Sequence, residues 1–195
     1  MNSLVVYLLL SLILVVYSIK VFRAKSVSSK VFITGVLLIL GVFLVDIVWD
    51  SISLWKSYQN NEVSQYWLPP HSTIIYGHIA RLAQPLMVGL ITASIVFVAF
   101  AGCKKIFRLE QYGTDDIYLL TISALVSNWP GVLISLVAIF IVGVFASIVR
   151  LIASKQKQEV FRLIITPYIL PVTLILIWAI PYLNNVTGLS KIKFY

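Results

Sequence analysis

The chain has 195 residues, of which 60% are hydrophobic and 11% charged. This excludes an ordinary soluble domain, which is about half apolar and about a quarter charged. A mean hydropathy of +0.98 instead predicts an all-α integral membrane protein, a polytopic bundle of about six transmembrane helices. The single cysteine excludes an internal disulfide and a multi-cysteine metal site.

Six apolar segments follow one another along the chain, separated by polar or basic stretches. The predicted transmembrane spans are residues 4–21, 31–49, 85–102, 116–128, 132–149 and 163–183. The first segment has no positively charged leader and no clear cleavage site, so it is predicted to be an anchor rather than a removed signal peptide. Together the segments predict one integral membrane domain.

The longest polar stretch, residues 50–84, is predicted to form a cap on the outer face of the bilayer, where its aromatic side chains suit the headgroup zone. Residues 73–84 contain His78 and Arg81 and are too polar to span comfortably. Pro85 suits the first turn of a helix, so the third span is predicted to begin there.

The basic residues predict the orientation. Of the 15 lysines and arginines, 11 fall in three loops, which follow spans one, three and five. These 11 are Lys20, Arg23, Lys25, Lys30, Lys104, Lys105, Arg108, Arg150, Lys155, Lys157 and Arg162. Because positively charged loops stay cytoplasmic, both termini are predicted to lie outside a prokaryotic cell membrane. The net charge of +8 then needs no nucleic-acid partner, and the lipid bilayer is the expected partner.

Two adjacent carboxylates, Asp115 and Asp116, stand where the chain re-enters the membrane after the second basic loop. An ionisable group at a membrane span costs a few kcal/mol, so it indicates a functional site. The alternative is that both acids cap a helix N-terminus and complement its dipole. The residues alone leave both interpretations open.

The stretch around Asp115 and Asp116 also resembles a motif of a known family. Gly-Thr-Asp-Asp at 113–116, followed by Ile-Tyr-Leu-Leu at 117–120, resembles the GxGD element of type IV prepilin peptidases and preflagellin peptidases. Trp-Pro-Gly at 129–131 resembles the turn after that element's helix, and Thr-Pro-Tyr at 166–168 resembles the segment that opens the last helix. The resemblance implies a membrane aspartic endopeptidase that cleaves the leader peptides of pilin-like precursors at the cytoplasmic face, with Asp116 as one catalytic acid.

The chain also departs from the family pattern. Asp115 replaces the second glycine of GxGD, Tyr118 replaces the family lysine, and Ser18 stands where the first catalytic aspartate is expected. Aspartic peptidases need two carboxylates that share a proton, and a serine has no carboxyl group to replace one of them. Asp115 is a second catalytic candidate, but adjacent residues of a helix do not face each other.

Other acids could in principle complete a pair with Asp116. Asp46 and Asp50 share a helix face, but the predicted topology places them at the outer end of span two, most of a ~30 Å hydrocarbon thickness away. Glu110 and Glu159 are the further acids predicted on the same side as Asp116.

Three functions remain open from the sequence. The first is an active prepilin-type peptidase. The second is a catalytically silent relative that keeps the six-helix fold and binds pilin-like or other membrane partners. The third, which six spans suggest without the resemblance, is a small transporter or transporter subunit. No cofactor or metal is expected, because His71 and His78 have no acidic cluster between them.

Overall fold

The computed structural model describes residues 3–24, 27–69, 73–106, 113–127, 131–153 and 166–187. Within these ranges the chain is an all-α bundle without strands, so the predicted fold class is confirmed. The helices of the described residues are α1 (Ser3–Ala24), α2 (Ser29–Gln59), α3 (Ile74–Ile106), α4 (Thr114–Ser127), α5 (Gly131–Ala153) and α6 (Thr166–Thr187). A short 3-10 helix, Ser64–Trp67, lies between α2 and α3.

Three helices among the described residues are long and apolar enough to cross a membrane. They are α2, α3 and the Gly131–Val149 part of α5. The apolar parts of α1 and α6, Leu4–Lys20 and Thr166–Ala179, are shorter. This combination is that of a membrane protein with a helical bundle.

Helices α2 and α3 extend past the spans predicted for them. Helix α2 continues beyond residue 49 to Gln59, and α3 begins at Ile74 and passes through Pro85 without a break. The prediction that Pro85 lies in the first turn of a helix is therefore wrong. A proline inside an apolar helix is tolerated where neighbouring groups and local adjustments satisfy the freed carbonyl.

Residues 50–59 and 74–84, which were predicted to belong to a cap, are helical continuations of α2 and α3 and contact each other. With 31 and 33 residues these helices are about 46 and 50 Å long, well over the ~30 Å hydrocarbon core. The hydroxyl of Tyr58 lies 3.0 Å from His78 Nδ1, and the Trp67 ring packs edge-on against Tyr58. Polar residues are accommodated in these helices because the ends can protrude beyond the bilayer.

The opposite end of the bundle carries the positive charge. At this end the Lys104 ammonium, at the close of α3, donates a hydrogen bond of 3.2 Å to the Thr114 hydroxyl at the start of α4. Lys105 follows on α3, and Lys30 lies at the start of α2. We call the end defined by Lys30, Lys104 and Lys105 the basic end.

Helix α4 is the core of the bundle. It packs against α2, α3, α5 and α6, and every residue from Asp116 to Ser127 is buried except Tyr118. Its 14 residues make it about 21 Å long, shorter than the ~30 Å hydrocarbon core. Residues 116–127 of the span predicted at 116–128 are thus helical and enclosed by the neighbouring helices.

Candidate functional site

The N-terminus of α4 is built around Asp116, which is the third residue of the helix and only 6% exposed. Its Oδ2 accepts a hydrogen bond of 3.0 Å from the backbone N–H of Gly113. The backbone N–H of Asp116 in turn donates to the Gly113 carbonyl at 3.2 Å. An acid at this position that reaches back to the residue before the helix is one half of a capping box. The carboxylate therefore satisfies a donor that the helix itself leaves unpaired.

The other carboxylate oxygen of Asp116 joins two helices. Its Oδ1 accepts a hydrogen bond from the hydroxyl of Thr166, which lies 50 residues later in the chain and opens α6. Pro167 follows in the first turn of α6, where its missing N–H costs nothing and its fixed φ suits the helix. Asp116 thus ties the N-termini of α4 and α6 together, close to the basic end.

Asp115, the second candidate acid, lies one residue earlier in the first turn of α4 and is half-buried. Successive side chains of a helix diverge, so Asp115 and Asp116 leave α4 in different directions. Both acids complement the positive end of the α4 dipole. In the structure Asp115 therefore lies in the first turn of α4, whereas Asp116 makes the contact between α4 and α6.

Ser18, which stands where the resemblance requires the first catalytic aspartate, has a local role in α1. Its hydroxyl donates a hydrogen bond of 2.7 Å to the Leu14 carbonyl in the preceding turn. Serine and threonine commonly bond to their own helix in this way. Helix α1 packs mainly against α2 and α6.

The remaining acids fall far from Asp116 or outside the described residues. Asp46 lies 17 residues beyond the start of α2, which is about 25 Å along the helix from the basic end. Asp50 lies one turn farther. This agrees with the separation expected from the sequence. Glu110 and Glu159 lie outside the described residues.

The structure also contains a buried polar contact that the sequence did not predict. The hydroxyls of Thr173 on α6 and Ser123 on α4 lie 2.7 Å apart. Thr173 donates its proton to the Ile169 carbonyl at 2.6 Å, so Ser123 is the donor of the contact between the helices. Together with the contact between Asp116 and Thr166, this contact forms what we call the polar seam between α4 and α6. The signal in the sequence is the equal spacing, because seven residues separate the two members on each helix and place them on one face.

A third polar contact joins α4 to α5. The hydroxyls of Ser127 and Ser135 lie 2.7 Å apart in a buried site.

Among the described residues, no group of three or more His, Cys, Asp or Glu side chains lies close enough to hold a metal ion. Cys103 is exposed near the end of α3.

No protein-family model, curated protein or solved structure matches this chain. The resemblance to prepilin peptidases therefore stays a prediction based on the residues that carry it.

Proposed function

We propose that the chain is a membrane-embedded relative of the prepilin peptidases that binds pilin-like or other apolar membrane segments without cutting them. The observation that carries this proposal is the use of both Asp116 oxygens as acceptors, one for Gly113 N–H and one for the Thr166 hydroxyl. Hydrogen bonds of this kind hold a carboxylate in a fixed structural position. A catalytic dyad instead needs a carboxyl group that exchanges a proton with its partner and with water.

The position of the first expected acid supports the same proposal. Ser18 cannot supply a carboxylate, and its hydroxyl is already bonded to the Leu14 carbonyl. A chain with one acid of the pair can keep the helical scaffold and its affinity for a membrane segment. Without the acid expected at position 18, it lacks the family's proton donor for the leaving amine.

An active endopeptidase is the second candidate, and the burial of Asp116 beside the basic end favours it. The resemblance implies a catalytic acid at this end, and a buried carboxyl group is what general acid–base catalysis in a membrane requires. In that case one ionised carboxylate activates a water molecule that attacks the peptide carbonyl, and the second acid protonates the leaving nitrogen. Asp115, Glu110 and Glu159 are the candidates for that second acid.

Coexpression with a pilin-like precursor encoded in the same genome separates the two candidates. The precursor is purified with the tagged membrane protein, and its mass reports whether the leader has been removed. We expect the full-length precursor to copurify uncut. The binding proposal is overturned if the leader is removed by the unmodified chain and by Asp115→Asn but not by Asp116→Asn. If no precursor copurifies with a chain that remains folded, pilin-like segments are excluded as its partners.

A further inference from the structure

An open groove of about 430 Å³ lies between α2, α3 and α4. Its floor is formed by buried side chains, among them Ala93 of α3 and Leu125 of α4. Its rim is formed by exposed aliphatic side chains, among them Leu37 of α2 and Val98 of α3. The small side chain of Ala93 leaves the space between the rims open, so the groove faces the surroundings of the bundle.

Aromatic rings line the end of the groove nearer the basic end. The rings of Phe32 and Phe97 stack across α2 and α3 with centroids 6.4 Å apart. Phe32 also stacks on Tyr118 of α4, with centroids 4.4 Å apart. These contacts join three helices and hold the walls of the groove in place.

The two hydroxyls that line the groove donate their protons within their own helices. Ser94 donates its hydroxyl to the Leu90 carbonyl at 2.8 Å, and Thr121 donates its hydroxyl to the Ile117 carbonyl at 2.7 Å. Both hydrogen bonds stay within the residue's own helix. The groove therefore presents hydrocarbon to its occupant.

Two lysines lie between the groove and the tip of the basic end. Lys30 lies two helical turns from the rim residue Leu37 on α2, and Lys105 lies two turns from the rim residue Val98 on α3. A spacing of seven residues keeps each lysine on the same helix face as the rim residue. Both lysines are exposed. A ligand with an apolar tail and an anionic head would match this arrangement of hydrocarbon and charge.

We propose that this groove binds an acyl chain of an anionic phospholipid whose phosphate is held by Lys30 and Lys105. The lining on α3 runs from Leu90 to Val98, which is about 12 Å along the helix. A partner helix that crosses the bilayer would need a contact along most of ~30 Å, so the groove fits a flexible chain better. Juxtamembrane lysines attract anionic lipid headgroups. This inference is independent of any role for Asp116.

Native mass spectrometry of the full chain, equilibrated with equal amounts of phosphatidylglycerol and phosphatidylethanolamine in detergent, tests the proposal. We expect one phosphatidylglycerol to be retained in preference to phosphatidylethanolamine. Ser94→Leu places a larger side chain in the groove from an exposed position and should abolish this retention. Replacing Lys30 and Lys105 by glutamine should lower the preference for the anionic lipid, roughly fivefold for each lysine.

Two matched controls lie at the other end of the bundle. Ser53 is exposed on α2 and bonds to its own helix through the Trp49 carbonyl, so Ser53→Leu makes the same change away from the groove. Lys56→Gln removes an exposed charge there. Both controls should retain the lipid as the unmodified chain does.

Three outcomes overturn the proposal. The first is equal retention of the two lipids by the unmodified chain. The second is unchanged retention when the exposed Lys30 and Lys105 are replaced, a change that leaves the core intact. The third is a dimer mass that disappears in Ser94→Leu, which would make a second copy of the chain the occupant.

Discussion

Thr173 and Ser123 are hydrogen-bonded at 2.7 Å, seven residues along α6 and α4 from the contact between Thr166 and Asp116. Because the two contacts are seven residues apart on both helices, α4 and α6 run parallel and begin at the same end of the bundle. Helix α5 begins near the other end of α4, where the hydroxyls of Ser127 and Ser135 lie 2.7 Å apart. The polar seam therefore fixes both the direction and the register of two helices that are distant in sequence.

Loss of the Asp116 carboxylate should destabilise the bundle. Asp116→Ala removes a charged acceptor from two partly buried hydrogen bonds, those of the Gly113 N–H and the Thr166 hydroxyl, which costs roughly 1–3 kcal/mol. The free energy of unfolding in detergent micelles measures this loss. Asp115→Ala is the matched control in the same turn and should lose only the dipole interaction, about 0.3–1 kcal/mol. Equal losses in the two variants would contradict the structural role of Asp116.

The hydrogen bond between Ser123 and Thr173 should show energetic coupling. A double-mutant cycle with Ser123→Ala and Thr173→Val should give a coupling of about 0.6 kcal/mol, the average for hydrogen bonds between membrane helices. Unfolding of the two single variants and the double variant measures it. Thr121 bonds to its own helix, so the cycle of Thr121→Val with Thr173→Val is the control and should show no coupling.

The all-α fold class follows from hydropathy alone, because apolar segments of this length can satisfy their backbone hydrogen-bonding groups in lipid only as helices. The ends of α2 and α3 were harder to predict. The polarity of residues 50–84, Arg81 among them, indicated a cap, but a helix that protrudes beyond the bilayer accepts charged residues on its exposed sides. Local composition does not report whether a helix stops at the membrane surface or continues past it.

The candidate site was predicted only in part. The position of Asp116 at a helix start follows from the residues, which are compatible with both capping and catalysis. Its contact with Thr166 did not follow, since 50 residues separate the two and only the packing of α4 on α6 brings them together. Ser123 and Thr173 were overlooked because small polar residues in apolar helices are common, and the partner of each is set by helix register.

The predicted orientation can be checked by labelling with an impermeant thiol reagent in intact cells. In a Cys103→Ser background, Asn60→Cys should be labelled and Ser28→Cys should not, because the basic end carries Lys30, Lys104 and Lys105 and is predicted to be cytoplasmic. Both sites are exposed, so accessibility on the protein itself is matched. Labelling of Ser28→Cys without Asn60→Cys would reverse the orientation.

Close packing of α1 on α2 gives the last prediction. A Cβ added at Gly35 would lie 2.7 Å from Tyr17 Cε2 and 3.1 Å from its Cζ. Tyr17 is only 7% exposed, so its ring has little room to move aside. Gly35→Ala should therefore lower the free energy of unfolding by about 1–3 kcal/mol, although alanine is the better helix former.

Gly41 on the same helix is the control for this effect. Nothing lies within 4 Å of a Cβ added there, so Gly41→Ala should leave stability unchanged or raise it by up to about 1 kcal/mol. Replacing Tyr17 by alanine removes the obstructing ring, and Gly35→Ala should then be tolerated in that background. This non-additivity identifies the ring as the cause, because a loss due to Gly35 alone would persist without it. A Gly35→Ala variant as stable as Gly41→Ala would mean that α1 and α2 do not pack at this distance.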